Sequence, residues 1–309
     1  MSPPYSQGWS GYLCTECYAI KRRFSSSFSQ VFCCLYLPFW PLILLSGYYS
    51  LTDTLAPGTK IHMVGLQNYA DLILHDTRFW IALRNAVLLG IGFIVLQHPL
   101  SIFFAVLLDR IGGKAEKIFR TIFFIPCVIS VVVISKMWLS LLDPTFGILN
   151  KLLAAVGLES LQHAWLGESS TALGTMLFIL IWAGFGWGLL FYYAGVKGIP
   201  EDLYEAASLD GASGLKLHLR ITVPLLKPVI AVQVTLAMIT ALKQMELVFL
   251  TTNGGPGDST QFIAVYLYNK AFSASQYGYA NAISILFIVV CLVATYLSNK
   301  FIRSDAAEA

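Results

Sequence analysis

Long apolar runs alternate with shorter polar segments along the whole chain after its first thirty residues. About 20 consecutive apolar residues cross a hydrocarbon core as a helix. Runs of that size lie at about 31–51, 85–108, 121–141, 171–196, 224–250 and 279–301, and they predict six membrane helices. Several carry interruptions. Pro38 and Pro41 fall in the first, Gln97-His98-Pro99 in the second, and Pro126 and Lys136 in the third. Membrane helices tolerate such breaks where neighbours re-satisfy the backbone, and His98 is expected to do so at its own kink. In the fourth run Gly184 and Gly188 stand four apart, which predicts close contact with another helix, one of a partner chain being a candidate.

The polar segments give the orientation. Residues 1–30 are Ser-rich and carry Lys21-Arg22-Arg23, like the flank of a signal peptide. The run that follows is long and ends Gly47-Tyr48-Tyr49-Ser50, with no small-x-small cleavage site, so a retained first span is expected. With the N-terminus inside, thirteen basic residues fall in inside segments: Lys21, Arg22, Arg23, Arg110, Lys114, Lys117, Arg120, Lys197, Lys216, Arg220, Lys227, Lys300 and Arg303. Five fall outside: Lys60, Arg78, Arg84, Lys151 and Lys270. The excess satisfies the positive-inside rule with both ends cytoplasmic. Residues 1–30 and 304–309 are then cytoplasmic tails, 31–303 the transmembrane domain, 52–84 and 142–170 outside loops, and 109–120 and 197–223 inside loops.

Composition agrees. The chain is 57% hydrophobic and only 12% charged, whereas soluble domains are about one quarter charged. Six cysteines add little. Cys33, Cys34, Cys127 and Cys291 sit in or beside apolar runs, where thiols act as small hydrophobes. Cys14 and Cys17 form a C-x-x-C, but no second pair accompanies it, and a structural zinc needs about four ligands. The expectation is an all-α membrane protein with no metal and no nucleic-acid partner.

One polar segment stands apart, 197–223. Pro200 suits a first helical turn, and Glu201 and Asp202 then face the positive end of the dipole. Asp210-Gly211 can end that helix, since Gly readily turns left-handed. A second short helix is expected before Pro224 opens the fifth span. Ala206 and Ala207 leave room for a partner to approach the backbone, while Glu205 and Asp210 offer fixed charge. An ordinary amphipathic loop would also satisfy the polarity.

At these residues the chain resembles the membrane-spanning permease subunits of bacterial ABC importers. Their motif reads Glu-Ala-Ala, three residues, Gly, nine residues, Ile-x-x-Pro. Here it is met by Glu205, Ala206, Ala207, Gly211, Ile221 and Pro224, with Asp210, Ala212 and His218 inside it. Gly65-Leu66-Gln67-Asn68-Tyr69, Phe124-Ile125-Pro126, Trp138, Gly147-Ile148-Leu149-Asn150 and Thr252-Asn253-Gly254-Gly255-Pro256-Gly257 are also similar to that family. The likeness is to its carbohydrate-uptake branch, of the type of the larger maltose or first glycerol-3-phosphate permease subunit. It implies a six-helix type I importer domain in the bacterial inner membrane, N-in and C-in. Its partners would be a second, homologous permease, an ATPase dimer carrying ATP-Mg and docked on the Glu205 loop, an extracytoplasmic solute-binding protein, and the bilayer. His218 stands where relatives often carry an aromatic, and Leu215 near where they carry Trp or another bulky residue; the N-terminal tail is unmatched. A histidine titrates near neutrality, which would make docking pH-sensitive; the plainer reading is a neutral, packed ring.

This chain has no G-x-x-x-x-G-K-[S/T], so it cannot cradle ATP phosphates, and any ATPase must be another chain. Charged residues inside spans are costly and mark pathways. Lys243 and Glu246 lie three apart in the fifth run, on one face if it is a single helix, either paired together or facing substrate. Gln233, Thr240 and Gln244 can bond hydroxyls, and Lys136 can snorkel. The resulting expectation is a non-catalytic permease subunit of an ATP-driven sugar importer. Alternatives are a glycerol-3-phosphate, polyol or acidic-sugar permease, or an ion-coupled secondary transporter using Lys136, Lys243 and Glu246. A membrane enzyme would need a motif such as H-E-x-x-H or G-x-S-x-G, and neither is present.

Overall fold

The computed structural model describes residues 39–55 and 61–307. The predicted tail with Cys14 and Cys17, and the first eight residues of the predicted first span, lie outside the described residues. Within them the chain is helical, and no strand forms. The main helices are α1 (Phe39–Ser50), α2 (Thr77–Ile111), α3 (Gly113–Val128), α4 (Val131–Leu141), α5 (Ala172–Lys197), α6 (Glu201–Leu209), α7 (Lys227–Leu242), α8 (Glu246–Thr251) and α9 (Tyr277–Ala307). Four stretches are long and apolar enough to cross a membrane: α2, α5, the α7–α8 stretch Lys227–Thr251, and Tyr277–Leu297 of α9. The α3–α4 pair makes a fifth if counted as one broken span.

That pair corrects two expectations. Residues 113–120, expected as loop, are the start of α3. The third run is not one helix, because α3 and α4 meet at 96°. Pro126 removes one helical N–H near the end of α3. Ile129 and Ser130 then turn extended, with ψ 136 and 137.

The second run is also longer than expected. At 1.5 Å per residue the 35 residues of α2 span about 52 Å, more than a ~30 Å hydrocarbon core. Phe79 and Trp80, expected in a loop, lie in its first turns. Asp76 caps it, its Oδ1 accepting from the Arg78 and Phe79 amides at 3.0 and 3.3 Å. The Tyr266 and Tyr279 hydroxyls both donate to Oδ2. One carboxylate thus fixes the start of α2 to α9 and to the short helix Ile263–Tyr268.

The kink at Gln97-His98-Pro99 takes the form of a π-turn over Phe93–Gln97. His98 does not satisfy freed backbone there. Its ring makes no hydrogen bond and packs edge-on to Tyr192, with centroids 5.7 Å apart. Gln97 instead donates to the Gly184 carbonyl at 3.2 Å. Gly184 and Gly188 of α5 therefore face α2 of this chain. A Cβ at Gly188 would stand 3.1 Å from Ser101 Oγ of α2, and one at Gly186 would stand 2.6 Å from the Phe123 carbonyl of α3.

Two buried clusters result. The larger joins Phe79, Ala86 and Leu89 of α2 to Met176 and Ile179 of α5, Ala241 of α7, Val248 of α8 and Ile283 of α9. The smaller joins Ala105 and Leu108 of α2 to Leu189, Tyr192 and Val196 of α5, and to Leu226 just before α7. The smaller cluster underlies the 197–223 segment.

Candidate functional site

Two regions gather the residues expected to matter. The first is an elbow between α5 and α7. Pro200 sits at the cap of α6, one place before the expected first turn, and Glu201 and Asp202 occupy that turn. Glu205 and Ala206 are exposed, while Ala207 is buried. The end of α6 explains the spacing to Gly211. Gly211 has φ +81, a left-handed conformation. The Ala212 amide donates back to the Ala207 carbonyl at 2.9 Å, and the Gly211 amide to the Ser208 carbonyl at 3.1 Å. Those two reverse bonds form a Schellman motif, which closes a helix through a glycine just beyond the cap. Asp210 is that cap and is exposed.

Beyond Gly211 the chain does not run straight into a span at Pro224. A short turn at Gly214–Leu217 leads to a π-turn over His218–Thr222, then Val223–Leu225, and α7 begins at Lys227. Ile221 is half-buried and Pro224 exposed. Thr222, fully buried, ties the elbow together: its hydroxyl lies 3.0 Å from the Tyr204 hydroxyl of α6 and 3.0 Å from His218 Nδ1. The His218 ring faces Tyr204, centroids 6.3 Å apart. Burial lowers the His218 pKa, and the positive charge of Arg110 adds to this against a smaller opposite pull from Asp109. The ring is therefore neutral near pH 7.

Polar contacts missed by the sequence reading brace the helices behind the elbow. Lys197, at the end of α5, pairs with Asp109 of α2 at 2.7 Å. Glu116 of α3 accepts from the Tyr193 hydroxyl at 2.6 Å and lies 3.4 Å from Arg120. The signal for the Lys197–Asp109 and Tyr193–Glu116 contacts was weak, since each spans helices whose adjacency the sequence does not state.

The second region is a cavity of about 590 Å³ at the junction of α7 and α8. Thr240, Lys243, Gln244 and Glu246 line it, with Val131 and Ile134 of α4, Leu180 and Gly184 of α5, and Phe93 of the π-turn. Gln233 does not join them. It is buried within α7 and its Nε2 has no partner. The geometry also corrects the expected Lys243–Glu246 helical face. Lys243 caps α7, and Glu246 opens α8 after a break at 243–245. The two charges do not pair with each other or with any other described residue. Both nevertheless line the cavity, one from each side of the break. The arrangement can offer hydroxyl-rich solutes donors and acceptors against an apolar wall.

Comparison with known proteins gives the family and the fold. A family model described as "Binding-protein-dependent transport system inner membrane component" matches residues 77–304. The chain is similar to "Probable ABC transporter permease protein YurN" of Bacillus subtilis (strain 168), 37% identical over 246 residues, covering 79% of this chain and 84% of that one. It is also similar to "Xylose/arabinose import permease protein XacH" of Haloferax volcanii, 33% identical over 280 residues, covering 85% and 87%. "Multiple sugar-binding transport system permease protein MsmF" of Streptococcus mutans is 32% identical over 263 residues, covering 82% and 88%. The fold matches a chain of a solved bacterial ABC transporter for import of the acidic polysaccharide alginate. The TM-score is 0.76 at 24% identity, covering 93% of this chain and 94% of that one.

Proposed function

The chain belongs to the family of binding-protein-dependent transport system inner membrane components, and from that premise we propose how its two sites work in import of a sugar. It is a multi-pass component of the inner membrane and a permease subunit of an ABC importer. In our reading it forms half of the translocation pathway. It couples to a separate ATPase dimer carrying ATP-Mg, works beside a second permease, and receives solute from an extracytoplasmic binding protein. It performs no catalysis itself.

The observation that carries the coupling is the closed elbow. Glu205 is exposed midway along a helix and Asp210 at its C-terminal cap, and Gly211 terminates that helix in a fixed geometry. A partner presenting Arg or Lys can take both carboxylates, and Ala206 keeps the approach open. The elbow leads directly through the Thr222 knot into α7, whose far end holds Lys243. ATP-driven closure of the motor would move α6, and α7 would carry that motion to the cavity.

The cavity supports a neutral, hydroxyl-rich solute. It offers one ammonium and one carboxylate, unpaired, so the charges balance. A vicinal diol satisfies a carboxylate with two donors, and Lys243, Gln244 and Thr240 add further partners. Relatives named for xylose and arabinose and for multiple sugars favour the same class.

The test is Glu205→Lys in the reconstituted complex. Expected are normal insertion of this chain and loss of both uptake and solute-stimulated ATPase activity. Normal coupled uptake would overturn the assignment of the elbow.

A further inference from the structure

Ten buried side-chain polar atoms have no hydrogen-bond partner among the described residues, and six of them lie in one seam. They are Gln97 Oε1, both ring nitrogens of His98, Ser101 Oγ, the Tyr192 hydroxyl and Gln233 Nε2. All five side chains are more than nine-tenths buried, Ser101 and Tyr192 completely.

The seam runs where α2, α5 and α7 meet. Gln97 and His98 stand four and three residues before Ser101, so the three share one side of α2. That side faces the glycines of α5. A Cβ at Gly184 would stand 3.5 Å from Gln97 Oε1, and one at Gly188 would stand 3.1 Å from Ser101 Oγ. One turn further along α5, Tyr192 packs against the His98 ring. Register brings Gln233 to the same level. Gly90 of α2 meets Met238 and Ala241 of α7, while Ala105 and Leu108 of α2 cluster with Leu226. The two helices therefore run antiparallel, and equal steps of about 1.5 Å per residue set His98 level with Gln233. Gln233 also shares its side of α7 with the buried Ala237 and Ala241.

Nearly all buried polar groups of folded proteins have a protein or water partner. Six orphans drawn from three helices into one seam form a set, and their kinds describe the missing partner. Gln97 Oε1 accepts, Gln233 Nε2 donates, the two hydroxyls do both, and a neutral imidazole brings one donor and one acceptor. No carboxylate, ammonium or guanidinium belongs to the set. A cation would need acceptors all round, and an anion donors all round. The matching ligand is small, neutral and both donor and acceptor, which is water. A buried water takes about three bonds from otherwise unsatisfied groups, so six atoms call for about two waters. Gly184 and Gly188 put no α5 side chain in their way.

The seam borders the cavity at the junction of α7 and α8. Gly184 lines that cavity, and its carbonyl accepts from Gln97 Nε2 at 3.2 Å. Phe93, from the same π-turn as Gln97, lines it too.

We infer that the Gln97–His98–Ser101–Tyr192–Gln233 seam is a water-binding annex of the cavity, holding ordered water that exchanges past Gly184. The inference rests on the geometry of the cavity, not on the Glu205 elbow or the class of solute. Water leaving the cavity as a solute enters has a polar place to go. α7 can also shift against α2 by exchanging bonds to water, without baring polar groups to an apolar wall.

The test uses the whole complex in lipid. An X-ray pulse makes hydroxyl radicals from water in place, and these modify the side chains beside it. Tyr192 should be modified severalfold faster than Met176, which is equally buried but lies in the apolar cluster of α2, α5 and α9. Isotopically labelled water mixed in just before the pulse should appear at Tyr192. Thr240→Trp, which fills the cavity, should slow that appearance severalfold. Tyr192→Phe gives an independent sign. Loss of a hydroxyl bound to water lowers the Tm of the complex, whereas loss of a bare buried hydroxyl raises it; a lower Tm is expected. Tyr192 modified no faster than Met176, or a Tm raised by Tyr192→Phe, would overturn the water site. Label arriving in Thr240→Trp at the parent rate would overturn its link to the cavity. None of these readouts depends on ATPase coupling, so the seam and the elbow fail separately.

Discussion

Substitution of Gly211 isolates the elbow more cleanly than any charge change. Gly211 has φ +81, and nothing stands within 4 Å of the place where a Cβ would be. Gly211→Ala therefore causes no clash, and its cost is purely one of backbone conformation. An L-residue other than glycine pays roughly 1–2 kcal/mol in the left-handed region. The two reverse bonds of the motif, Ala212 to Ala207 and Gly211 to Ser208, contribute about 1–3 kcal/mol together at the usual net value. The substitution thus removes much of what holds the turn closed, a shift of roughly five- to thirtyfold in its local equilibrium. Solute-stimulated ATPase activity of the reconstituted complex should fall severalfold, with insertion and assembly of the membrane chains unchanged. Gly211→Asn should fall less, because Asn tolerates the left-handed region better. Equal coupling in Gly211→Ala and the parent, or equal damage from Ala and Asn, would refute the argument that the turn geometry presents Glu205.

Two further outcomes follow from the same geometry. The folded pKa of His218 lies below its ordinary value through burial and the nearby Arg110. The neutral ring's contribution to elbow stability is then complete above about pH 6.5, the unfolded value, and drains away as pH falls through the lowered folded value. Coupled ATPase activity should decline on acidification below about pH 6.5. His218→Phe should flatten that decline, and an identical profile in the two proteins would dispose of the linkage. In the cavity, Glu246→Gln should raise KM for the transported solute about tenfold or more, since a charged hydrogen bond is worth about 1.5–3 kcal/mol. Lys243→Met should do the same without loss of the ATPase, as read by uptake at graded solute concentrations.

Much of this architecture was legible because its signals are local. Apolar run length gave α5 nearly to the residue, and Asp210-Gly211 announced the end of α6. Gly65-Leu66-Gln67-Asn68-Tyr69 stood out only through the family likeness, and its contacts are longer in range: Asn68 donates to the Ser50 and Thr52 carbonyls, and the Tyr69 hydroxyl donates to Ser50 Oγ. Asn150 does the same for the 142–170 segment, donating to the His163 carbonyl and accepting from the Trp165 indole. Illegible were features that depend on which helix lies beside which. The face of Gly184 and Gly188 was clear, but not that α2 fills it. The 243–245 break carries no Pro or Gly, so nothing in the local sequence marks it, and Lys243 and Glu246 read as neighbours on one helix. The 96° bend between α3 and α4 was hidden for a related reason, since Pro126 precedes it by three residues and the apolar run continues through it.

The break and the elbow are the two ends of one rod. The 16 residues of α7 span about 24 Å, with the Thr222 knot at one end and Lys243 at the other. Near the elbow end the rod bears on α5. A Cβ at Gly195 would stand 2.7 Å from Leu226 Cδ2 and 3.2 Å from Val229 Cγ2, so backbone and side chains already touch there. That contact suits a fulcrum, while the π-turn before it and the break beyond it relax the regular hydrogen bonding at both ends. A tilt of about 10° at the fulcrum moves the far end by about 4 Å over that length. Such a displacement is comparable to a hydrogen-bond length, enough to take Lys243 out of reach of a bound hydroxyl. In the proposed reading, a modest movement of the docked elbow is therefore sufficient to change the solute's contacts, and because Ala241 and Leu242 at that end of α7 belong to the larger core, their neighbours in α2, α5 and α9 must repack with it.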